Sequence, residues 1–393
     1  MDTVKNNRKE KNRIYGEGSI YQRKDGRWVA KYKDDIMSKS RYLYGKTETE
    51  VKRKLRALKR DAVHGLVESK RIIFGDYMEK WLYTFKMMSV ERSSFDKYES
   101  VFSQHILPAF DRIQLGSIRS VDIQNLINQK SRTLSYSVVK IIRLLLAEVF
   151  QYAYAEGDIA KNPMTNVVMP RRGQFKPARE ITVLEDDEVR ALEKIAKRKT
   201  EQGGPKLMHA DLIIFMVHTG LRCGELLALQ WSDIDFEQKT VTVNKNLTRV
   251  KERDQSNNSH KRATYVKGTK TESGNRVVPL NSKAVAALKH LQKIYKKCGI
   301  TGTNVASSKS NKPLDNIRLY HLLRRMLKYA HIDKPLTIHQ LRHTFATRAL
   351  RAGVSISVVS KWMGHANIST TYNTYIHVLQ SERTEAEKLL EAM

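Results

Sequence analysis

Two arginines, a lysine, two histidines and a tyrosine stand in the second half of this 393-residue chain in settings that suit shared chemistry. Arg222 follows a glycine turn in Thr219-Gly-Leu-Arg222-Cys-Gly-Glu225 and opens a helical pattern. Thr269-Lys270-Thr-Glu-Ser-Gly-Asn-Arg276 reads as a hairpin with Lys270 near its tip. Thr337-Ile-His339-Gln340-Leu-Arg342-His343 starts a helix with Thr337 and Gln340 as a capping box, so His339 and Arg342 share one helix face. Gly364-His365 ends a further helix, the glycine suiting its left-handed last position, and Tyr375-Ile-His377 follows. The set is cationic and lacks a dense cluster of carboxylates or cysteines, so it suits an anionic centre and calls for neither metal nor cofactor. A phosphodiester fits. Two guanidinium forks donate paired hydrogen bonds to its non-bridging oxygens and spread the charge that builds at a pentacoordinate phosphorus. A tyrosine can displace the sugar oxygen to leave a phosphotyrosine ester, which keeps the bond energy so that the strand reseals without ATP. Histidine and lysine can move the two protons, one relieving the phenol and one reaching the departing 5′ oxygen.

Competing readings of the same residues are weaker. His339 and His343, four apart, have the spacing of a zinc-peptidase helix, but Gln340 occupies the position of the required base and cannot act as one. Tyr372 lies one turn before Tyr375 but lacks the Tyr-x-His context. The composition agrees with a phosphate partner: 71 Lys and Arg against 41 Asp and Glu give a formal net charge of +30. Residues 1–70 hold +10 of this, so a basic tail on a neutral enzyme is excluded and several parts of the chain should face a polyanion. The longest apolar runs fall well short of the roughly 20 residues of a membrane span, and the first dozen residues lack the apolar stretch of a signal peptide. Cys223 and Cys298 alone make no disulfide framework, which fits a reducing cytoplasm.

The elements that must position these groups fall into segments. Residues 1–13 read as a disordered basic arm. Residues 14–66 read as a small module in which two strands joined at Asp25-Gly26, a third strand at Arg41 to Tyr44 and a helix opened by Thr47-x-x-Glu50 leave one sheet surface basic. Tyr21, Arg23, Arg27, Lys31 and Lys33 are its candidate DNA contacts. From 72 to 170, apolar residues at three and four residue spacing predict a four-helix bundle. Residues 171–179 read as a linker, and 180–393 as a mixed α/β domain that ends in an amphipathic helix over Ser381 to Met393. The stretch from about 250 to 268 is polar and basic, and reads as a long loop that is either simply solvated or an added DNA or subunit contact. The expected fold is therefore multidomain and mainly α with small β-sheets.

The order Arg222, Lys270, His339-x-x-Arg342, Gly364-His365 and Tyr375-x-His377 resembles the active-site signature of the tyrosine recombinases, the integrases of temperate phages and conjugative transposons. The resemblance extends over all three segments. It implies an arm-type DNA-binding domain at 14–66, a core-binding domain at 72–170 and a catalytic domain at 180–393. It implies a site-specific recombinase in which Arg222 and Arg342 clamp the scissile phosphate, Tyr375 attacks it to give a 3′-phosphotyrosyl intermediate, and Lys270 protonates the 5′ leaving group. His339 would be the acid/base partner and His365 a phosphate contact. Glu225 would orient Arg222 or a histidine, and His343 would support the site from behind. Implied partners are double-stranded DNA at core-type and arm-type sites, a homotetramer assembled on DNA with the C-terminal helix docked on a neighbouring protomer, and an accessory excisionase or DNA-bending protein. The implied setting is the bacterial cytoplasm, at the nucleoid, with no membrane involved. A type IB topoisomerase shares this chemistry, but a dedicated N-terminal module suits a protein that binds a second, distant site.

Overall fold

The structure, a computed structural model, describes residues 18–32, 40–63, 72–175, 181–201, 203–253, 262–268 and 274–376. The chain divides at residue 178 into two compact units. In the first, strands β1 (Ser19–Gln22), β2 (Trp28–Tyr32) and β3 (Arg41–Gly45) form an antiparallel sheet in chain order, with Gly26 at φ +80° in the first turn. Helix α1 (Glu48–Val63) begins where the Thr47 hydroxyl accepts the Glu50 N–H at 3.2 Å. The Glu50 carboxylate reaches back one residue beyond the usual capping box, to the Lys46 N–H at 2.9 Å. One sheet face supplies Ile20, Trp28, Ala30, Tyr32 and Leu43 to a core closed by Val51, Leu55 and Leu58 of α1.

The register sets the other face. Ser19, Lys31 and Tyr42 lie across from one another, as do Tyr21, Val29 and Tyr44. Tyr21, Tyr42 and Tyr44 are each nearly half exposed, and the Lys31 ammonium sits 5.8 Å from the Tyr42 ring centre. Arg23 and Arg27 are exposed beside the turn, each within 4 Å of Asp25. Lys33 and the expected arm at 1–13 lie outside the described residues.

The bundle follows. Helix α2 (Phe74–Trp81) runs through a π-turn (Leu82–Lys86) into Met87–Ser89, and α3 (Arg92–Val101) through a second (Phe102–Ile106) into Leu107–Phe110. Helices α4 (Ser120–Thr133) and α5 (Tyr136–Ala155) complete it. Phe74, Met78, Leu82, Phe95, Ile106 and Phe150 are fully buried at its centre, with Phe74 stacked on Phe150 at 5.4 Å. The stretch read as a linker starts by packing on this core. Phe175 is buried edge-on to Tyr136 at 5.1 Å, and the Arg172 guanidinium lies 5.1 Å from the same ring.

In the second unit, α7 (Ala210–Thr219) is buried at every residue, consistent with its apolar run. Helices α6 (Asp186–Ala196), α9 (Ser282–Cys298) and α11 (Ile338–Arg351) pack on it. The short helix α8 (Cys223–Ala228) and the strands β4 (Ile234–Asp235), β5 (Thr240–Val243) and β8 (Arg276–Pro279) follow the α7 turn, the strands pairing in the order β4-β5-β8. Helices α10 (Asn316–Tyr329) and α12 (Ile356–Met363) and a last helical stretch, α13 at 368–376, complete the unit.

Two expectations change here. The stretch read as a loop from about 250 to 268 begins and ends in a two-stranded ribbon, β6 (Lys245–Lys251) paired with β7 (Arg262–Gly268), while 254–261 lie outside the described residues. Of the hairpin expected over 269–276, residues 269–273 lie outside the described residues, and β8, which begins at Arg276, pairs antiparallel with β5 rather than with β7. The reason is alternation, since Val278 and Arg276 face the core together and β5 offers Val241 and Val243 opposite them.

Gly220 closes α7 at φ +65°, and a Cβ there would lie 2.4 Å from the Phe345 ring. Gly220→Ala is therefore expected to lower the second unit's stability by at least about 1–2 kcal/mol, the left-handed penalty alone. Thermal denaturation reads this directly, and an unchanged midpoint would contradict it.

Candidate active site

Helix α12 ends at Gly364, whose φ of +62° turns the chain away and leaves the last carbonyls of the helix without helical partners. Three arginines from three elements take three consecutive carbonyls. Arg276 Nε donates to Trp362 O at 2.5 Å, Arg342 Nη2 donates to Met363 O, and Arg222 Nη2 donates to Gly364 O at 3.0 Å. The negative end of the helix dipole favours cations at this position. Arg342 also donates through Nη1 to Gly220 O at 2.9 Å, so the α7 turn holds it from the far side.

Glu225, 3% exposed on α8, binds the first and third of these arginines. Its carboxylate accepts the Arg222 N–H at 2.7 Å and Arg222 Nη1 at 2.8 Å. It also accepts both Nη atoms of Arg276, at 2.9 and 2.8 Å. Burial alone would raise this carboxyl, but the hydrogen bonds and charge of Arg276, backed by Arg222, hold it at about 2. Three guanidiniums against one carboxylate leave an excess of two positive charges. Arg342, 1% exposed, is pushed down to about 9 by burial and by Arg222, and stays charged at neutral pH. Arg222 alone of the three keeps more than a third of its side chain open to solvent.

The histidines lie around this cluster. Thr337 caps α11 with Gln340 as expected, and the helix period stacks His339 on His343 edge-to-face at 5.0 Å. His365, just past the α12 turn, bonds Thr371 Oγ1 through Nδ1 at 2.7 Å. Burial first, and then the cations Arg342, Arg222 and Arg276, push His365 down to about 4. His339 is also lowered, by partial desolvation and by Arg342 and Arg222. Tyr375, on α13, is fully buried against Ala346, Leu350, Val359 and Met363. Its hydroxyl lies 2.6 Å from His343 Nδ1. Burial raises the phenol well above its ordinary value, against the opposing charge of Arg342, so the hydroxyl keeps its proton in this state.

Arg222, Glu225, His339, Arg342, His343, His365 and Tyr375 thus come together in one unit. Lys270 and His377 lie outside the described residues, as does the expected helix over Ser381 to Met393. Glu225 binds Arg222 and Arg276, and no histidine contacts it among the described residues. Tyr372 is nearly half exposed, so the buried tyrosine facing the histidines is Tyr375. Arg276 is the residue the motif pattern missed. Its signal was the alternation Arg276-Val277-Val278, in which one phase buries Arg276 with Val278 and so demands a carboxylate. Among the described residues no group of three or more His, Cys, Asp or Glu is placed to hold a metal ion.

Glu225→Gln leaves two guanidiniums without their shared counter-charge, and is expected to cost about 3 kcal/mol or more at neutral pH. The carboxyl is depressed in the folded chain, so its stabilisation is complete above its ordinary 4.5 and is lost as pH falls toward about 2. The gap between wild type and variant in chemical denaturation should therefore close over that interval. A gap that is absent at pH 7, or that widens in acid, would contradict the arrangement.

Comparison with known proteins gives the family and the fold. Residues 182–382 match the phage integrase family, and residues 73–131 match the N-terminal SAM-like domain of phage integrases. A XerC-like tyrosine recombinase of Caldanaerobacter subterraneus subsp. tengcongensis is 31% identical, over 88% of this chain and 90% of its own. The transposase from transposon Tn916 of Enterococcus faecalis is 25% identical, over 94% and 93% respectively. Among solved structures, the Tn1549 transposon integrase in complex with transposon right end DNA superposes with a TM-score of 0.60 at 24% identity, over 80% of this chain and 99% of that one. A lambda integrase dimer bound to a COC′ core site gives a TM-score of 0.57 at 17% identity, over 93% and 96%. Matched to the phage integrase family over residues 182–382, and 31% identical over most of its length to a XerC-like tyrosine recombinase, the chain belongs to the phage integrase family of tyrosine recombinases.

Proposed function

We propose that this chain, a mobile-element site-specific recombinase, cleaves and rejoins DNA by a metal-free attack of Tyr375 on a phosphodiester held by Arg222 and Arg342. The observation that carries the assignment is the convergence of Arg222, Arg276 and Arg342 on the end of α12, in the unit where Tyr375 meets His343. Arg222 has the open side chain, so it meets a non-bridging oxygen first, and Arg342 supplies the deeper charge. Both are fixed before DNA arrives, so little reorganisation is needed as charge develops on the phosphorane. Arg276 touches no DNA in this reading: with Glu225 it positions Arg222. His365 hydrogen-bonds the phosphate through the ring nitrogen not used by Thr371. Lys270 protonates the 5′ leaving oxygen with His339 as the acid/base partner, and the product is a 3′-phosphotyrosyl ester resealed by a 5′-hydroxyl.

The remaining parts supply recognition. Tyr21 and Lys31 on the exposed sheet face, joined by Tyr42 and Tyr44, and Arg23 and Arg27 beside its first turn contact arm-type DNA, the lysine and arginines meeting phosphates and the tyrosines adding flat, partly apolar area. The bundle binds core-type DNA together with the catalytic unit. One tyrosine cuts one strand, so exchange between two duplexes takes four protomers, with the C-terminal helix of each docked on its neighbour. A lambda integrase tetramer bound to a Holliday junction, similar in fold, supports that stoichiometry. An accessory excisionase or DNA-bending protein would set direction. The work is done in the cytoplasm at the nucleoid; no described helix is long and apolar enough to cross a membrane.

Tyr375→Phe should bind DNA normally and form no covalent adduct that survives denaturation; a surviving adduct overturns the assignment. Arg342→Ala and Arg222→Ala should each slow strand cleavage by about 100-fold or more in the chemical step, read as single-turnover adduct formation. Near-normal cleavage by either would remove the clamp role.

A further inference from the structure

We propose that His343 is the base that takes the Tyr375 proton as the phenol attacks, and the acid that returns it on religation, leaving His339 to the leaving-group side. The inference rests on the phosphotyrosyl reading above and assigns its proton. His343 Nδ1 is 2.6 Å from Tyr375 Oη, and no other polar partner of that hydroxyl occurs among the described residues. The two rings are 5.7 Å apart and inclined by 56°. His339 is one turn earlier on α11, at its exposed N-terminal end, and stacks on His343 without touching the phenol.

The direction of the bond follows from satisfaction of buried groups. If His343 donated, the phenolic proton would be buried with no acceptor, which costs more than the bond returns. With the proton on Nε2, Nδ1 presents a lone pair and Tyr375 donates to it, the arrangement a general base requires. His343 is neutral here: burial, then His339 and Arg342, push it down to about 4. The charged and titratable groups facing it are His339 and Arg342 from α11, His365 from the turn after α12, and Tyr375 from α13. All of these are cationic or neutral. An incoming phosphodiester brings the missing negative charge beside Arg342, offsets the field of that guanidinium and raises the proton affinity of Nδ1. The base is therefore strengthened by the substrate it serves.

The step balances. The Oη–P bond forms as the P–O5′ bond breaks, the phenolic proton passes to His343 Nδ1, and the 5′ oxygen takes a proton from Lys270 or His339. Religation reverses each transfer, so no proton is consumed over the cycle.

The test uses the full chain on a nicked suicide duplex built from the terminal joint of the element that encodes it. Two versions are compared, one with the normal 5′ oxygen and one with sulfur at that bridging position, whose thiolate leaves without an acid. His343→Asn keeps a polar group near the Nδ1 position but accepts no proton. It should slow adduct formation about 100-fold on both substrates, and its rate should climb with pH where the wild-type rate is level. His339→Asn should be slow on oxygen and recover on sulfur. A His343→Asn rate within threefold of wild type, or its recovery on sulfur, overturns the proposal. His343→Gln and gel-shift affinity, measured below the melting point, separate loss of the base from loss of fold. If Tyr375→Phe abolishes the adduct while His343→Asn is unaffected, only the proton assignment fails; if Tyr375→Phe still forms the adduct, the reaction itself is misassigned.

Discussion

The site depends on one helix end. Three carbonyls in a row, at Trp362, Met363 and Gly364, have lost their partners because Gly364 turns the chain out of the helix. Each is taken by a guanidinium from a different place in the sequence: β8, α11 and the start of α8. Bringing three like charges together is costly, and two features offset the cost. The carbonyls and the helix dipole face all three, and Glu225 bonds two of them. The residual positive charge is the property a DNA phosphate can use, and it exists before DNA is bound.

That charge also orders the proton chemistry. Burial first, and then neighbouring groups that include the fixed cations, lower the histidines, so His343 and His365 are neutral, both at about 4. Burial holds the phenol of Tyr375 in its protonated form until it is used. A nucleophile that is protonated, and bonded to a neutral imidazole, is inert until a negative charge arrives. In the proposed reaction burial thus keeps the phenol protonated, while burial and the neighbouring cations together keep its imidazole partner neutral.

Much of this was legible in the sequence because local physics decides it. Gly364 had to end a helix, Thr337 and Gln340 had to start one, and the spacing of His339, Arg342 and His343 fixed their common helix. Other features were hidden because they are tertiary. The burial of Arg276 depends on which strand β8 joins, and the pairing with β5 lies about 35 residues away in the chain. The ribbon β6–β7 was masked by its composition: Lys245, Thr248, Arg249, Thr264 and Lys267 give no apolar alternation, and what seats it, Leu247 against the core of the second unit and the buried Val250, is tertiary. The contact of His343 with Tyr375 required depth along α11 relative to α13, which no spacing rule supplies. On the N-terminal sheet the strand pattern named Tyr21, but only the register put Tyr42 and Tyr44 on the same face, across β2.

The measurement that bears most directly on the account is the chemical identity of the DNA–protein bond. The full chain is quenched on the suicide duplex, digested with protease and nuclease, and the nucleotide-bearing peptide is sequenced by mass spectrometry. The account requires a nucleotide 3′-phosphate on Tyr375 and a free 5′-hydroxyl on the released strand. A nucleotide on Tyr372 or any other residue, or a linkage through a 5′-phosphate, would contradict it.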